Sequence, residues 1–199
     1  MSATLTSFVA ATTATFCAVA IAVPCVYLIK RYRFGGALRS ILKIPLIVPT
    51  SALGLSVLLL WGPRGFGVLG PGIWMIILTH IVFSVPVIVE PAISAYEGSD
   101  LLLYEESART LGGNPFDVAE TISLPILKRG IIAGTILAFT HSLGETGATF
   151  IVMGRDITVP TLVVNMVEAL AIPAAQFASA FLIAIALVLL ALFRVISGR

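Results

Sequence analysis

Residues able to do chemistry are sparse in this chain, and most fall in two places. The first is Leu143-Gly144-Glu145-Thr146-Gly147-Ala148-Thr149, an acid among glycines and threonines inside a long apolar run, with His141 four residues earlier. A carboxylate and an imidazole one helical turn apart can relay a proton. The second is Glu97 to Arg129, which holds nine of the 22 charged residues (12 basic plus 10 acidic). Glu90 and His80 stand apart from both. No nucleophile–base set emerges, so an intramembrane enzyme lacks its machinery. Cys17, Cys25, His80 and His141 form no metal-ligand cluster. No G-x-x-x-x-G-K-[ST] run is present, so ATP is not bound by that route.

Composition decides the class. The chain is 58% hydrophobic and 11% charged over 199 residues, with mean hydropathy +1.07, against about 25% charged for soluble domains. It reads as an all-α membrane protein. The net charge of +2 comes with no basic tract, so nucleic acid is not an expected partner. Cys17 and Cys25 lie near one face of one helix and read as small packing residues; a disulfide between them is excluded by distance.

Five apolar stretches predict spans at about 5–29, 41–61, 73–96, 130–153 and 174–193, each near the roughly 20 residues a membrane helix needs. A secretory signal competes for the first, but its length and lack of a basic start weigh against that reading. Pro45 and Pro49 should kink the second span and demand packing against protein. Ten basic residues (Lys30, Arg31, Arg33, Arg39, Lys43, Arg109, Lys128, Arg129, Arg194 and Arg199) fall on one side, and only Arg64 and Arg155 on the other. The positive-inside rule then puts the N-terminus outside and the C-terminus in the cytoplasm. Segments 62–72 and 154–173 should be outer loops, and 97–129 a cytoplasmic loop.

That loop has local signals. Leu101, Tyr104, Ala108 and Leu111 recur at helical spacing and predict one apolar stripe. Asp100 suits the helix start, and Gly112-Gly113 its end. Asn114 reads as a new N-cap, with Pro115 first in the helix and Asp117 in its first turn. The second short helix should run to about Ser123. Helix, glycine turn and helix would lie along the membrane surface, which by itself fits an interfacial hairpin capping the bundle.

Its core reads Glu106-Ser107-Ala108, three residues, Gly112, nine residues, Ile122, one residue, Leu124-Pro125. This resembles the EAA loop of ABC importer permeases, with Ser107 at a position where that loop has alanine. The run Ser142–Gly154, with Thr158-Val159-Pro160-Thr161, is similar to the molybdate, tungstate and sulfate permeases, except that Thr146 stands at an aromatic position. Those permeases commonly carry a further N-terminal helix, so the chain reads as a natural short form or one lacking its true start.

The resemblance implies a type I importer permease-like fold with a cytoplasmic helix-turn-helix coupling loop at 97–129. It implies that the loop docks on a separate cytoplasmic ATPase, present in two copies, which holds the ATP and magnesium; this chain would need no cofactor of its own. Glu106, Ser107, Ala108, Gly112, Asn114, Phe116, Ile122, Leu124 and Pro125 are the expected coupling residues. It further implies a homodimer of permease subunits in the cell membrane and an extracytoplasmic oxyanion-binding protein that delivers molybdate or tungstate. Arg64 and Arg155 are candidates for docking that protein, or are plain solvated charges.

Inside the membrane, Glu145, Thr146, Gly147 and Thr149, with Glu90, are candidates for a pathway or subunit interface. An ion at a span centre costs roughly 2.5–3.5 kcal/mol on insertion scales, so Glu145 should face a cavity or a partner. A structural, hydrogen-bonded role for Glu145 remains the alternative, since an unpaired carboxylate repels an anion. Gly144 and Gly147 allow close helix approach, and His80 and His141 read as packing residues. Sulfate or another small solute is the alternative cargo. An ATPase-independent secondary transporter or channel, with Glu145 and His141 relaying protons, is the reading from a different class.

Overall fold

The structure is a computed structural model that describes residues 2–197 in backbone, and side chains through residue 188 together with residue 191. Among the described residues it is all helix, without strands. The expected inner charges Arg194 and Arg199 lie outside the described side chains.

Helix α1, Ala3–Arg31, carries no charge before its last turn, and Ser2 caps its start through the Leu5 N–H. Ala10, Ala14, Ala18 and Ala22 recur every four residues and are fully buried. Such a stripe of small side chains lets another helix approach closely. That neighbour is α4, Ile73–Glu97, the most enclosed helix in the bundle, which packs along both α1 and α7, Leu124–Gly144. Gly130 and Gly134 make the α4–α7 contact: a Cβ on Gly134 would stand 2.6 Å from the Ile88 Cα, and one on Gly130 2.5 Å from the Pro91 carbonyl oxygen. Their G-x-x-x-G spacing was readable in the sequence, whereas Gly144, expected to serve this purpose, faces open space.

The second expected span is broken. Helices α2, Gly35–Ile47, and α3, Thr50–Trp61, meet at 109°. Pro49 forces the break, because a residue before proline avoids helical ψ, and Val48 is extended at ψ 137°. Pro45 stays inside α2 without breaking it. Among the described residues, three helices are long and apolar enough to cross a membrane, α1, α4 and a continuous run Pro115–Gly144; the bent α2–α3 pair makes a fourth if it is one span.

Three further expectations need correction. The second short helix of the 97–129 segment does not stop near Ser123. After α5, Leu101–Thr110, helix α6, Pro115–Val118, passes through a π-helical turn, Ala119–Ser123, directly into α7. The fourth span does not reach Met153 unbroken: α7 ends at Gly144, and α8, Gly147–Val152, starts afresh. The expected outer loop 154–173 contains a helix, α9, Val159–Glu168, before α10, Ile172–Ser197. The 62–72 segment is tied to the neighbouring turn, with Gly72 N–H donating to the Val152 carbonyl at 2.9 Å and Ile73 N–H to Asp156 Oδ2 at 2.8 Å.

Candidate functional site

Two assemblies hold the candidate residues. In the first, Asn114 Oδ1 accepts from the N–H groups of Phe116 and Asp117, both at 2.9 Å, and caps α6, with Pro115 behind it. Gly112 sits at φ 93° with nothing within 4 Å of where a Cβ would be. That conformation favours glycine and closes the turn, and the surface before it is open. Asp100 is left-handed at φ 48° and caps nothing with its side chain.

The expected stripe on α5 splits. Leu101 is buried, while Tyr104 and Leu111 are exposed. The inward face is instead Leu101 and Glu105. Glu105 is 6% exposed and accepts a 2.6 Å hydrogen bond from Ser123 Oγ in the π turn. This pair fastens α5 to the base of α7; one helical turn between Leu101 and Glu105 was its only sequence signal.

Of the expected coupling residues, Glu106, Ser107, Gly112, Asn114, Phe116, Leu124 and Pro125 are exposed and Ala108 is half-buried. Ile122 turns inward and packs on the core around Val26 and Leu127. Leu111 is 89% and Phe116 79% exposed, large apolar side chains flanking one glycine turn.

The second assembly surrounds the break between α7 and α8. Glu145 is 7% exposed. Its Oε1 accepts from Ala148 N–H at 3.0 Å, and its Oε2 lies 3.4 Å from His141 Nε2. Thr149 Oγ1 donates to the Glu145 carbonyl at 3.1 Å. His80, 1% exposed, hydrogen-bonds Ser142 Oγ at 2.6 Å through Nδ1 and Thr149 Oγ1 at 2.9 Å through Nε2. With the Thr149 proton already committed, the consistent assignment has Nε2–H donating to Thr149 and Nδ1 accepting from Ser142. His80 is thus a fully satisfied packing residue. His141 is half exposed and stacks at a tilt on Phe83.

Helix α3 closes this assembly from the other side. A Cβ on Gly54 would meet the Ala148 Cα at 2.8 Å, and one on Gly147 the Thr50 Oγ1 at 2.7 Å. The first turns of two interrupted helices therefore meet beside one carboxylate. Thr146 is half-buried, and its hydroxyl donates to the Gly144 carbonyl at 3.3 Å.

Glu90 belongs to neither assembly. Both its oxygens are taken by Arg39, at 2.8 and 3.1 Å, and Lys43 stands 3.3 Å away. Glu97 pairs with Lys30 and, at 3.3 Å, with Arg39. Glu90, a candidate for the pathway or a subunit interface, is thus paired within the chain: the basic residues read as positive-inside charges clamp α2 to the end of α4. Arg64 and Arg155 are both exposed.

No family model matches the chain. It is 36% identical over 158 residues to the molybdenum transport system permease protein ModB of Escherichia coli K12, covering 71% of this chain and 69% of that one. It is 34% identical over 167 residues to a probable molybdenum ABC transporter permease protein of Haloferax volcanii, covering 80% of this chain but 62% of the relative. With the ModB of Azotobacter vinelandii the identity is 30% over 188 residues, 85% of this chain and 80% of the relative. Weaker similarity extends to a sulfate permease of Salmonella typhimurium at 29% and a spermidine/putrescine permease of Escherichia coli at 27%.

Proposed function

This chain belongs to the permease family of the molybdenum ABC transporters, and from that premise we propose that it is the membrane subunit of an ATP-driven importer of molybdate or tungstate. It is a multi-pass membrane protein. In this reading the spans number five: α1, the bent α2–α3 pair, α4, the continuous Pro115–Gly144 helix and α10. The N-terminus lies outside and the C-terminus in the cytoplasm. Two copies form the path, two ATPase subunits holding ATP and magnesium dock beneath them, and a binding protein delivers the anion from outside.

One observation carries the coupling role. Leu111 and Phe116 stand almost fully exposed on either side of the open Gly112 turn, in a segment with EAA-loop spacing. Exposed large apolar side chains grouped on one element mark an interaction surface. The element is also stiffly joined to the bundle, because α6 runs without a break into α7 and Glu105 ties α5 to the same base. A push on Phe116 therefore moves α7 as a lever rather than flexing a loop.

Glu145 acts here as a brace. Its carboxylate is committed to the Ala148 N–H and to His141, the partners of a structural group rather than of a cargo. Arg64 and Arg155 are the outer cations offered to a binding protein.

The test is uptake of labelled molybdate, tungstate and sulfate by vesicles containing the chain, its ATPase and the binding protein. ATP-dependent uptake of molybdate or tungstate is the expected result. The similarity to permeases named for sulfate and for polyamines makes the choice of cargo a real outcome of the same assay. The 3.4 Å His141–Glu145 contact favours one other reading, a proton-coupled secondary transporter. Uptake persisting without the ATPase and driven by a proton gradient would replace the importer reading with that one.

A further inference from the structure

A cavity of about 340 Å³ opens where the inner ends of α1 and α4 meet α5 and the π turn. Its walls are mostly apolar, with Val26, Leu102 and Leu127 among them and Pro24 on the α1 side. Tyr27 and Tyr96 line it at the ends of two spans, the level at which tyrosines mark the boundary between hydrocarbon and headgroups.

Its rim is cationic. Lys30 and Arg31 line it, and Arg109 stands one helical turn beyond the lining residue Glu105 on the same face of α5. Lys30 is occupied by Glu97 and rests 5.4 Å from the centre of the Tyr96 ring. Arg31 and Arg109 take part in no ion pair among the described residues, and the buried Nε of Arg109 has no acceptor. The carboxylate that lines the cavity, Glu105, already accepts from Ser123. Apolar walls at hydrocarbon depth thus end in two unpaired guanidinium groups at headgroup depth.

We propose that this cavity binds an anionic phospholipid of the inner leaflet, with an acyl chain against Val26, Leu102 and Leu127 and the phosphate on Arg31 and Arg109. Basic pockets between spans on the cytoplasmic side take such headgroups. A free phosphate would leave the apolar walls unused, and a helix from a second copy would leave the arginines unpaired. The site is separate from Leu111 and Phe116 and does not depend on the cargo or the ATPase. Because it touches α1, α4, α5 and the π turn together, the lipid would stiffen the joint between α5 and α7.

The experiment is native mass spectrometry of the full chain purified in mild detergent with equal phosphatidylglycerol and phosphatidylcholine. The expected result is preferential retention of one phosphatidylglycerol per chain. Arg31→Gln and Arg109→Gln should each lower that retention about fivefold, while Arg31→Lys and Arg109→Lys keep most of it and Arg64→Gln changes nothing. Leu102→Trp, which fills the cavity and alters no charge, should abolish it. Equal retention of both lipids overturns the proposal. So does undiminished retention in the Arg31→Gln/Arg109→Gln double variant, displacement of the lipid by inorganic phosphate, or a disulfide between copies through Leu102→Cys, which would put a second chain in the cavity.

Discussion

The segment around Gly112 and the break around Glu145 are both polar interruptions in an apolar chain, yet they are built in opposite ways. At Glu145 the polar groups find partners inside the chain: His80 with Ser142 and Thr149, Glu145 with Ala148 and His141. At Gly112 the large apolar groups find none, and Leu111 and Phe116 face outward. Burying a polar group without a partner is expensive, so a break at membrane depth must satisfy itself. Exposing apolar surface is a cost of another kind, removed only when something covers it. One region is finished by the fold, and the other leaves apolar surface for a partner to cover.

Substitutions can break that contrast, and the largest effect should come from the unfinished region. Phe116→Ala should weaken ATPase binding about 30-fold, the scale of an interface hot spot at about 2 kcal/mol, with thermal unfolding of the isolated chain unchanged. A pull-down titration together with a melting curve reads both quantities. Lowered melting with unchanged binding would erase the distinction.

Glu145→Ala should do the reverse. It leaves the buried Ala148 N–H without its acceptor, a loss of about 1–3 kcal/mol, while ATPase binding holds. Glu145→Gln keeps an oxygen for that N–H and should melt near the wild type. If Glu145→Gln fell as far as Glu145→Ala, the charge rather than the cap would be what matters, and the brace would have to be abandoned.

Two smaller effects sharpen the picture. Asn114→Ala removes the α6 cap, worth about 1 kcal/mol, and should show as faster amide exchange confined to residues 116–118. Arg39→Gln breaks the clamp on Glu90, whose side chains are about a quarter exposed, and should cost about 1 kcal/mol or less. A larger loss on melting would mean that α2 depends on this clamp for its position.

The same contrast governs how much could be read in advance. The Gly112 region was legible because its signals are local: Asn114-Pro115 with Asp117, two glycines and a fixed spacing lie within one stretch of chain. Leu111 could not be assigned correctly, because helical spacing groups it with Leu101 and only packing shows that one is buried and the other exposed. The Glu145 region was legible as a constellation but not as a break. Hydropathy averages over Gly144-Glu145-Thr146 and sees one span, whereas the carboxylate there caps a new helix. Pairs distant in sequence were out of reach: Arg39 meets Glu90 across 51 positions, and His80 meets Thr149 across 69. Gly130 and Gly134 were the readable signal passed over, since their spacing alone announces close helix approach.

The central claim is that the partner ATPase covers the surface around Gly112. Cysteine crosslinking tests it most directly, in a background where Cys17 and Cys25, the free cysteines of the chain, are replaced by serine. Leu111→Cys and Phe116→Cys should each crosslink to the ATPase in membranes carrying both proteins, and ATP should change the yield. Leu170→Cys, as exposed as either at 83% but in the segment between α9 and α10, should not react. Crosslinking at Leu170 with none at Leu111 or Phe116 would contradict the account.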